Sequence, residues 1–295
     1  MSPRTSGARS IEALPQLVYE PLVRAALAED FGLGGDITSE ATVPAGTRAT
    51  ALLVARREGV LAGLDPALLA FRLLDPGVRI EVRVRDGEDL ARNQTIATLS
   101  GDARALLGAE RTALNLLSHM SGIATATAAY VVAVGDEHCA IYETRKTLPG
   151  LRALEKYAVR AGGGANHRFR LDDAVLIKDN HIVAAGGIET ALLRARERVG
   201  HLVKIEIEVD NLAQLDEVLR DITNVDAVLL DNFSLTDLET AARKINRRLT
   251  VEASGGITLD TVAQVAATGV DVISIGALTH SVTALDIGLD FALTP

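Results

Sequence analysis

The 295-residue sequence contains one cysteine, no tryptophan and few aromatic residues of any kind. Because Cys139 stands alone, no intramolecular disulfide can form, which is typical of proteins in a reducing compartment. Aromatic residues make up 3% of the chain, too few for the exposed stacking platform that a single-stranded nucleic acid requires. These absences favour an intracellular protein and argue against that class of nucleic-acid binder.

An excess of positive charge is also missing. The formal net charge is −9 at pH 7 and the isoelectric point is about 5.2, so nucleic acid and anionic membranes are disfavoured as main partners. No apolar run of signal-peptide length follows residues 1–7. We therefore expect a cytoplasmic protein, and its 48% of hydrophobic residues is enough to bury a sizeable core.

One segment, residues 112–135, contains no Asp, Glu, Lys or Arg and is long enough to span a bilayer. It nevertheless holds polar side chains among many Ala and Gly. These polar residues are Asn115, Ser118, His119, Ser121, Thr125 and Thr127. We predict a buried helix whose small side chains permit close packing, and not a membrane span.

Two patterns follow one another along the chain. Before residue 110, residues 78–85 alternate apolar and charged side chains, which predicts a strand with one wet face, while 50–55 favour a strand and 67–74 a helix. From about residue 138, short apolar strands alternate with amphipathic helices, which indicates βαβ units and a parallel sheet. The predicted strands are 140–142, 174–177, 203–209, 227–230, 249–252 and 270–275, and the helices are 188–199, 212–219, 235–245 and 259–267.

Six or seven such units predict an α/β barrel, TIM-like and incomplete, after an α+β region. A doubly wound open sheet is the alternative. No G-x-G-x-x-G string follows the first strand, which disfavours a dinucleotide-binding sheet of that kind.

Polar residues follow the predicted strands in a definite order. In a barrel the active site lies at the C-terminal ends of the strands. Early strands here are followed by cations, and residues 143–181 hold eight Lys or Arg against five Asp or Glu. Arg145, Lys146, Arg168 and Lys178 lie at turns or strand ends, with His167 and His181 nearby. Converging cations predict a polyanionic small ligand, because arginine binds carboxylate or phosphate through two hydrogen bonds.

Three further cations in this segment, Arg152, Lys156 and Arg160, are spaced as one face of a helix, and we expect them to be ordinary surface charges. The glycine run at 162–164 fits a flexible lid and a simple linker equally well.

The middle strands end in carboxylates and the late strands in glycine turns. Glu208 and Asp231 could hold Mg²⁺ or the hydroxyl groups of a ribose, whereas Lys204 and Glu206 fit a core ion pair. Residues 254–256 and 276–277 each lie between a strand and a helix, where free backbone N–H groups could bind phosphate.

Several strings then resemble one family, the quinolinate phosphoribosyltransferases. The most specific are ETRKTLPG at 143–150, GGGANHR at 162–168 and LIKDNH at 176–181. Shorter matches in the same order are GGDITS at 34–39, ERTALN at 110–115, LLDN at 229–232, EASGG at 252–256 and GALTHS at 276–281. The resemblance covers roughly residues 20–293.

This resemblance implies an N-terminal α/β sandwich domain, residues 1–114 joined by the C-terminal tail 282–295, and a barrel domain, residues 115–281. It implies transfer of phosphoribosyl from phosphoribosyl pyrophosphate to quinolinate with decarboxylation, which yields nicotinate mononucleotide, pyrophosphate and CO₂ in NAD biosynthesis. Mg²⁺ would assist. The implied assembly is a homodimer, or a hexamer built as a trimer of dimers.

The family pattern also implies roles for individual residues. Arg145, Lys146, His167, Arg168 and Lys178 would line the quinolinate pocket beside Thr144, with Arg111 supplied by the partner subunit. Glu208 and Asp231 would lie near the ribose and Mg²⁺. Phosphate contacts would come from Ser254, Gly255, Gly256, Gly276, Ala277 and Leu278. The expected catalytic residues are Lys146, Lys178, Glu208 and Asp231, and either Lys146 or His167 could protonate C2 after CO₂ leaves.

Three alternatives stay open at this stage. A related phosphoribosyltransferase could act on nicotinate without decarboxylation. A barrel aldolase could form a Schiff base on Lys178. A non-catalytic anion-binding relative could have kept the fold.

Overall fold

The structure, a computed structural model, describes residues 11–135 and 138–293. The first ten residues of the predicted sandwich domain lie outside these ranges, as do the last two of its C-terminal tail. The N-terminal stretch inspected for a signal peptide lies outside them too.

The described residues form two compact units. The first comprises residues up to Ala128, the segment Thr147–Gly163 and the residues from Ser281 onward; the second comprises Ala129–Lys146 and Gly164–His280. The domain boundaries predicted from the sequence, after residues 114 and 281, stay a prediction.

Helices and strands are numbered in chain order within the described residues. The helices are α1 Gln16–Phe31, α2 Ile37–Thr42, α3 Leu64–Leu74, α4 Ala103–Val134, α5 Arg152–Ala161, α6 Asp179–Ala185, α7 Ile188–Arg198, α8 Leu212–Val218, α9 Leu235–Ile245, α10 Val262–Ala266 and α11 Ala277–His280. The strands are β1 Arg48–Ala55, β2 Gly59–Val60, β3 Arg79–Val82, β4 Asp89–Leu90, β5 Thr95–Asp102, β6 Ala140–Tyr142, β7 Val175–Ile177, β8 Ile205–Val209, β9 Ala227–Asp231, β10 Thr250–Ser254, β11 Val272–Ser274 and β12 Ile287–Leu293.

The first unit is built on an antiparallel sheet with the strand order β12-β1-β5-β3. Ala49, Ala51 and Leu53 of β1 are buried in alternation, as a half-buried strand requires. Of the predicted strand 78–85, only Arg79–Val82 is regular. The reason is local, because the N–H groups of Arg83 and Val84 both donate to the carbonyl of Ile96 and so interrupt the ladder.

Helix α4 contains nearly all of the uncharged segment considered above, and by length and composition it could cross a membrane. Its residues Leu106, Leu117, Met120 and Ile123 are instead buried in the apolar core of the first unit. Ser121 Oγ accepts the N–H of Ala62 at 3.1 Å and donates to its carbonyl at 3.2 Å, and Thr125 Oγ1 accepts the N–H of Val60 at 2.9 Å. The helix is therefore a core helix, as predicted, with its polar groups satisfied inside the unit.

The surface role expected for the cations of α5 is wrong for Lys156, which is only 1% exposed. Arg152 donates to Thr147 Oγ1 at 3.0 Å, and the guanidinium of Arg160 lies 5.7 Å from the ring centre of Tyr157. Spacing of three or four residues identifies one helix face, but it does not reveal whether that face meets solvent or protein.

The second unit contains a six-stranded sheet with the order β6-β11-β10-β9-β8-β7, in which every pair is parallel. The strands run consecutively from β7 to β11, and β6 then follows β11. This cyclic order is that of a barrel, whereas a doubly wound sheet reverses direction part-way across. No strand-to-strand hydrogen bonding joins the described strands β7 and β6, which are the two ends of the sheet. The barrel is therefore open on one side, and the prediction of an incomplete α/β barrel is confirmed.

Strand β8 shows how the sequence sets up this unit. Ile205, Ile207 and Val209 are buried, while Glu206 and Glu208 alternate with them and share the opposite face. The predicted core pair between Lys204 and Glu206 is wrong. Lys204 Nζ instead donates to Asp226 Oδ1 at 2.8 Å, because Lys204 precedes the strand and its side chain reaches the start of the neighbouring β9.

Asp226 connects the last turn of α7 to the start of β8. Its carboxylate accepts hydrogen bonds from Arg196 Nη2 and the backbone N–H of Ile205, both at 2.9 Å, in addition to Lys204. Burial opposes ionisation of Asp226, but these hydrogen bonds outweigh it and lower the pKa of the carboxyl below its ordinary value of 3.8.

We expect Asp226→Asn to reduce the free energy of unfolding at pH 7 by about 1–3 kcal/mol, the typical effect of removing one partner from partly buried, charge-assisted hydrogen bonds. Because the folded-state pKa is lowered, the stabilisation is complete above the unfolded-state pKa of 3.8 and disappears as pH falls through the folded-state value. Urea unfolding of wild type and variant between pH 7 and 3 measures the two free energies of unfolding, whose difference should shrink as the pH falls. Asp260→Asn, at an exposed position, is the control, and equal losses in both variants would contradict the assignment.

Candidate active site

The C-terminal ends of the parallel strands surround a cavity of about 350 Å³ in the second unit. Its lining combines cations from the early strands with carboxylates and hydroxyls from the later ones. The lining residues are Thr144, Arg145, Lys146, His167, Arg168, Leu176, Lys178, Glu208, Leu229, Asp231, Glu252, Ser254 and Ser274. This edge of the sheet is where a barrel places its active site.

Arg145 and Arg168 form the cationic side of the cavity. Each has a buried Nε–H group without an acceptor among the residues that the structure describes. Arg168 Nη1 donates to the carbonyl of Ala174 at 2.9 Å. Burial, and next the neighbouring charge of Arg145, lowers the pKa of Arg168 below its usual range. Two like charges with unsatisfied donors are unfavourable by themselves, so the pair is suited to an anion with more than one carboxylate.

The carboxylates of Glu208 and Asp231 lie near the C-terminal ends of the neighbouring strands β8 and β9 and line the same cavity. Lys178 Nζ contacts Glu208 Oε2 at 2.9 Å, and Asn232 Nδ2 donates to Asp231 Oδ2 at 2.8 Å. The second oxygen of each carboxylate remains for another ligand. Such a donor set fits Mg²⁺, which takes one or two protein carboxylates and completes its shell with water and substrate phosphates.

The glycine turn after β10 has a packing requirement of its own. Asn232 has a left-handed backbone with φ of 56° and donates its N–H to the carbonyl of Ser254 at 2.9 Å. A Cβ on Gly255 would lie 2.2 Å from Asn232 Oδ1, and Gly255 itself has φ of 95°. Glycine is therefore required here whether or not its N–H binds phosphate.

Lys146 is held in place by the turn after β11. A Cβ on Gly276 would lie 3.0 Å from Lys146 Cδ, so the lysine stem passes directly over this glycine. Thr279 Oγ1 donates to the carbonyl of Lys146 at 2.8 Å, and the Lys146 N–H donates to Thr144 Oγ1 at 3.1 Å.

His167, Glu206 and Glu252 form a largely buried triad, and His167 and Glu252 also line the cavity. His167 Nε2 is 3.2 Å from Glu206 Oε2 and 3.5 Å from Glu252 Oε2. Burial opposes a charge on His167, whereas its hydrogen bonds to Glu206 and Glu252 favour keeping a proton within the group of three, so the pKa at which this group loses that proton is raised above the ordinary 6.5 of histidine. At neutral pH the three side chains therefore carry two protons between them. One is the proton of a neutral imidazole, and the other is additional.

The position of that additional proton follows from the other ring nitrogen. The backbone N–H of Arg168 donates to His167 Nδ1 at 2.8 Å, which requires an unprotonated Nδ1. The proton is therefore better placed on the glutamates, since burial raises the pKa of Glu206 and this carboxyl also contacts Glu252. The three groups are close enough to share a metal ion, but a proton on Nε2 leaves no lone pair there for a metal.

Comparison with known families agrees with this geometry. The model of the quinolinate phosphoribosyl transferase C-terminal domain matches residues 123–290, and the model of the N-terminal domain of the same enzymes matches residues 36–121. The chain belongs to the quinolinate phosphoribosyltransferase family. The resemblance read from the sequence strings is thereby confirmed.

Individual members of the quinolinate phosphoribosyltransferase family are similar over nearly the whole chain. The carboxylating nicotinate-nucleotide pyrophosphorylase of Mycobacterium leprae is 50% identical over 276 residues, which cover 91% of this chain and 95% of that protein. Among solved structures, NadC from Streptococcus pyogenes is 39% identical with a TM-score of 0.92, covering 96% of this chain and 100% of that one. The nicotinate-nucleotide pyrophosphorylase from Francisella tularensis is 38% identical with a TM-score of 0.90, covering 97% and 100% respectively.

Most residues that the family pattern singled out meet in the cavity. These are Thr144, Arg145, Lys146, His167, Arg168, Lys178, Glu208, Asp231 and Ser254. Others do not line it: Gly255, Gly256 and Gly276 lie in the adjoining turns, Ala277 is exposed, and Leu278 is buried. Arg111 is exposed on α4 in the first unit. The functional roles of all these residues stay predictions.

Four lining residues were not singled out by the sequence analysis: Leu176, Leu229, Glu252 and Ser274. Glu252 and Ser274 carried a usable signal, because each is a buried polar residue next to buried apolar residues of its strand. In a barrel such a residue must face the interior or the mouth, where it requires a polar partner. Leu176 and Leu229 carry no such signal, since leucine is expected in any of these strands.

Proposed function

We propose that this chain transfers the phosphoribosyl group of phosphoribosyl pyrophosphate to quinolinate with loss of CO₂, giving nicotinate mononucleotide and pyrophosphate, as a cytoplasmic enzyme of de novo NAD biosynthesis. The observation that carries the proposal is the pair of arginines with buried, unsatisfied Nε–H donors. Quinolinate has two adjacent carboxylates, and such a pair is suited to binding both. The 50% identical relative is a carboxylating nicotinate-nucleotide pyrophosphorylase, a name that agrees with a reaction involving nicotinate nucleotide, pyrophosphate and CO₂.

The residue roles follow as part of the proposal. Arg145, Arg168 and Lys146 bind the quinolinate carboxylates, with Arg111 of a second subunit completing the pocket in a homodimer or a hexamer of three dimers. Backbone N–H groups of the turns at 254–256 and 276–278 bind phosphate groups of the sugar substrate. Glu208 and Asp231 face the ribose and are the residues that would hold Mg²⁺, whose charge would offset that of the diphosphate.

The chemistry requires two bond exchanges. The pyridine nitrogen forms a bond to ribose C1 while the bond between C1 and the diphosphate oxygen breaks, and positive charge develops on the ribose. Glu208 and Asp231 stabilise that charge electrostatically. The ring nitrogen is then a pyridinium, so the bond from C2 to its carboxylate breaks with its electron pair left at C2, CO₂ departs, and a proton adds to C2. Positioning and electrostatics supply most of the catalysis, since the first step needs no general base.

A single assay tests the proposal. Purified protein is incubated with quinolinate, phosphoribosyl pyrophosphate and Mg²⁺, and the ultraviolet absorbance of the product is followed together with CO₂ release. We expect one CO₂ for each nicotinate mononucleotide formed, and no product from nicotinate. Turnover of nicotinate without CO₂ would favour the non-decarboxylating alternative. Borohydride trapping of a carbonyl substrate on Lys178 would favour the aldolase alternative, and tight binding without turnover would indicate a non-catalytic relative.

A further inference from the structure

His167 has both ring nitrogens engaged by the protein. Nδ1 accepts the backbone N–H of Arg168 at 2.8 Å, and Nε2 faces Glu206 Oε2 at 3.2 Å and Glu252 Oε2 at 3.5 Å. A backbone N–H can only donate, so Nδ1 must offer its lone pair, and the single proton of a neutral imidazole lies on Nε2. Neither nitrogen is then directed at a ligand in the cavity.

The surroundings hold this arrangement firmly. The backbone N–H of His167 donates to Glu143 Oε1 at 3.1 Å, and the preceding Asn166 donates through Nδ2 to Glu143 Oε2 at 2.8 Å. Glu143 is 0% exposed. The short segment leading to Arg168 is thus attached by its backbone to one buried carboxylate and by its imidazole to two others.

Glu252 is the least expected member of this group. It is 4% exposed, and its Oε1 has no hydrogen-bond partner among the described residues. A buried carboxylate with an unsatisfied oxygen is unfavourable for stability. The other oxygen of this carboxylate contacts His167 Nε2.

We propose that Glu252 is a positioning residue for the quinolinate subsite: together with Glu206 it fixes the Nε2–H tautomer of His167, whose Nδ1 in turn fixes the backbone of Arg168 and so aims its guanidinium into the cavity. This inference rests on the proposed function. His167 then acts through Arg168 and does not protonate C2, which leaves Lys146 as the donor of the two candidates considered.

The tautomer can be measured without any substrate. In protein labelled with ¹⁵N-histidine, the His167 signals are identified by their loss in His167→Asn, and we expect an unprotonated Nδ1 and a protonated Nε2 at pH 7. An imidazolium, or a neutral ring with the proton on Nδ1, would overturn the proposal. This result is independent of catalytic activity, so it does not depend on whether quinolinate is the substrate.

The kinetic test uses Glu252→Gln, with Glu239→Gln on the exposed side of α9 as the matched control. We expect a loss of roughly 10- to 100-fold in kcat/KM for quinolinate, because a small misplacement of a binding group has effects of this size, and an unchanged KM for phosphoribosyl pyrophosphate. Equal changes in the two KM values, or no change, would overturn the proposal. Should wild type form no product, the proposed function itself fails, whereas the tautomer measurement still decides the positioning role.

Discussion

Arg145→Ala is expected to reduce kcat/KM for quinolinate by about 10²- to 10³-fold while the protein stays folded. Truncating one partner of a desolvated charge pair costs about 2–5 kcal/mol, and about 1.4 kcal/mol corresponds to a factor of ten. Arg145 has a buried Nε–H that no described acceptor satisfies, so the folded protein loses little when the side chain is removed. Steady-state kinetics with each substrate varied, together with thermal unfolding, measure the effect.

Arg170→Ala provides the control for Arg145→Ala. Arg170 lies in the second unit as well, but it is exposed and bonds to Asp172 at the surface. Its removal should leave both KM values within about twofold, because exposed ion pairs contribute little. Arg145→Lys should recover only part of the lost activity, since lysine keeps the charge but not the planar fork. A near-normal quinolinate KM in Arg145→Ala would show that the pocket assignment is wrong.

The position of the cavity was predictable because it depends on strand ends, which the sequence marks clearly. Short apolar strands ended in Lys178, Glu208 and Asp231, and parallel strands bring their C-terminal ends to one edge. The same reasoning could not place Glu252. It lies in the middle of β10, and its contact with His167 depends on tertiary packing between distant parts of the chain.

Partners of charged residues were the least predictable part of the structure. Alternation along β8 correctly put Glu206 and Glu208 on one face. It also suggested Lys204 as a partner of Glu206, whereas Lys204 bonds to Asp226, directly before β9. Lys156 was expected at the surface and is buried. In each case the periodicity gives the direction of a side chain, whereas its partner is fixed by tertiary packing between elements far apart in sequence.

The glycine turns show a different limit of prediction from sequence, because two separate requirements can select glycine at one position. Residues 254–256 were interpreted as a phosphate site because a turn before a helix offers free N–H groups. The structure adds an independent reason for glycine at position 255, which is the close approach of Asn232 Oδ1. Since both requirements select the same residue type, the sequence cannot separate them.

Asp231→Asn and Glu208→Gln are expected to lower kcat by about 10²- to 10³-fold each, the usual effect of removing one preorganised group that stabilises charge in a transition state. Both carboxylates line the same cavity, and each has one oxygen engaged by a neighbouring side chain. If they also hold Mg²⁺, the concentration of Mg²⁺ needed for half-maximal activity should rise in both variants. Calorimetric binding of Mg²⁺ in the presence of phosphoribosyl pyrophosphate measures this without turnover.

The two proposed roles of these carboxylates make separable predictions. Asp210→Asn, an exposed carboxylate directly after β8, is the control and should leave kcat and the Mg²⁺ requirement unchanged. A variant with low kcat and a normal Mg²⁺ midpoint has lost stabilisation of the ribose charge and not a metal ligand. A variant of Lys178 separates Glu208 from Asp231, because Lys178 Nζ contacts Glu208 Oε2 at 2.9 Å. Lys178→Ala frees that oxygen, so it should tighten Mg²⁺ binding through Glu208 even as it weakens binding of the anionic substrate; looser Mg²⁺ binding would argue against Glu208 as a ligand.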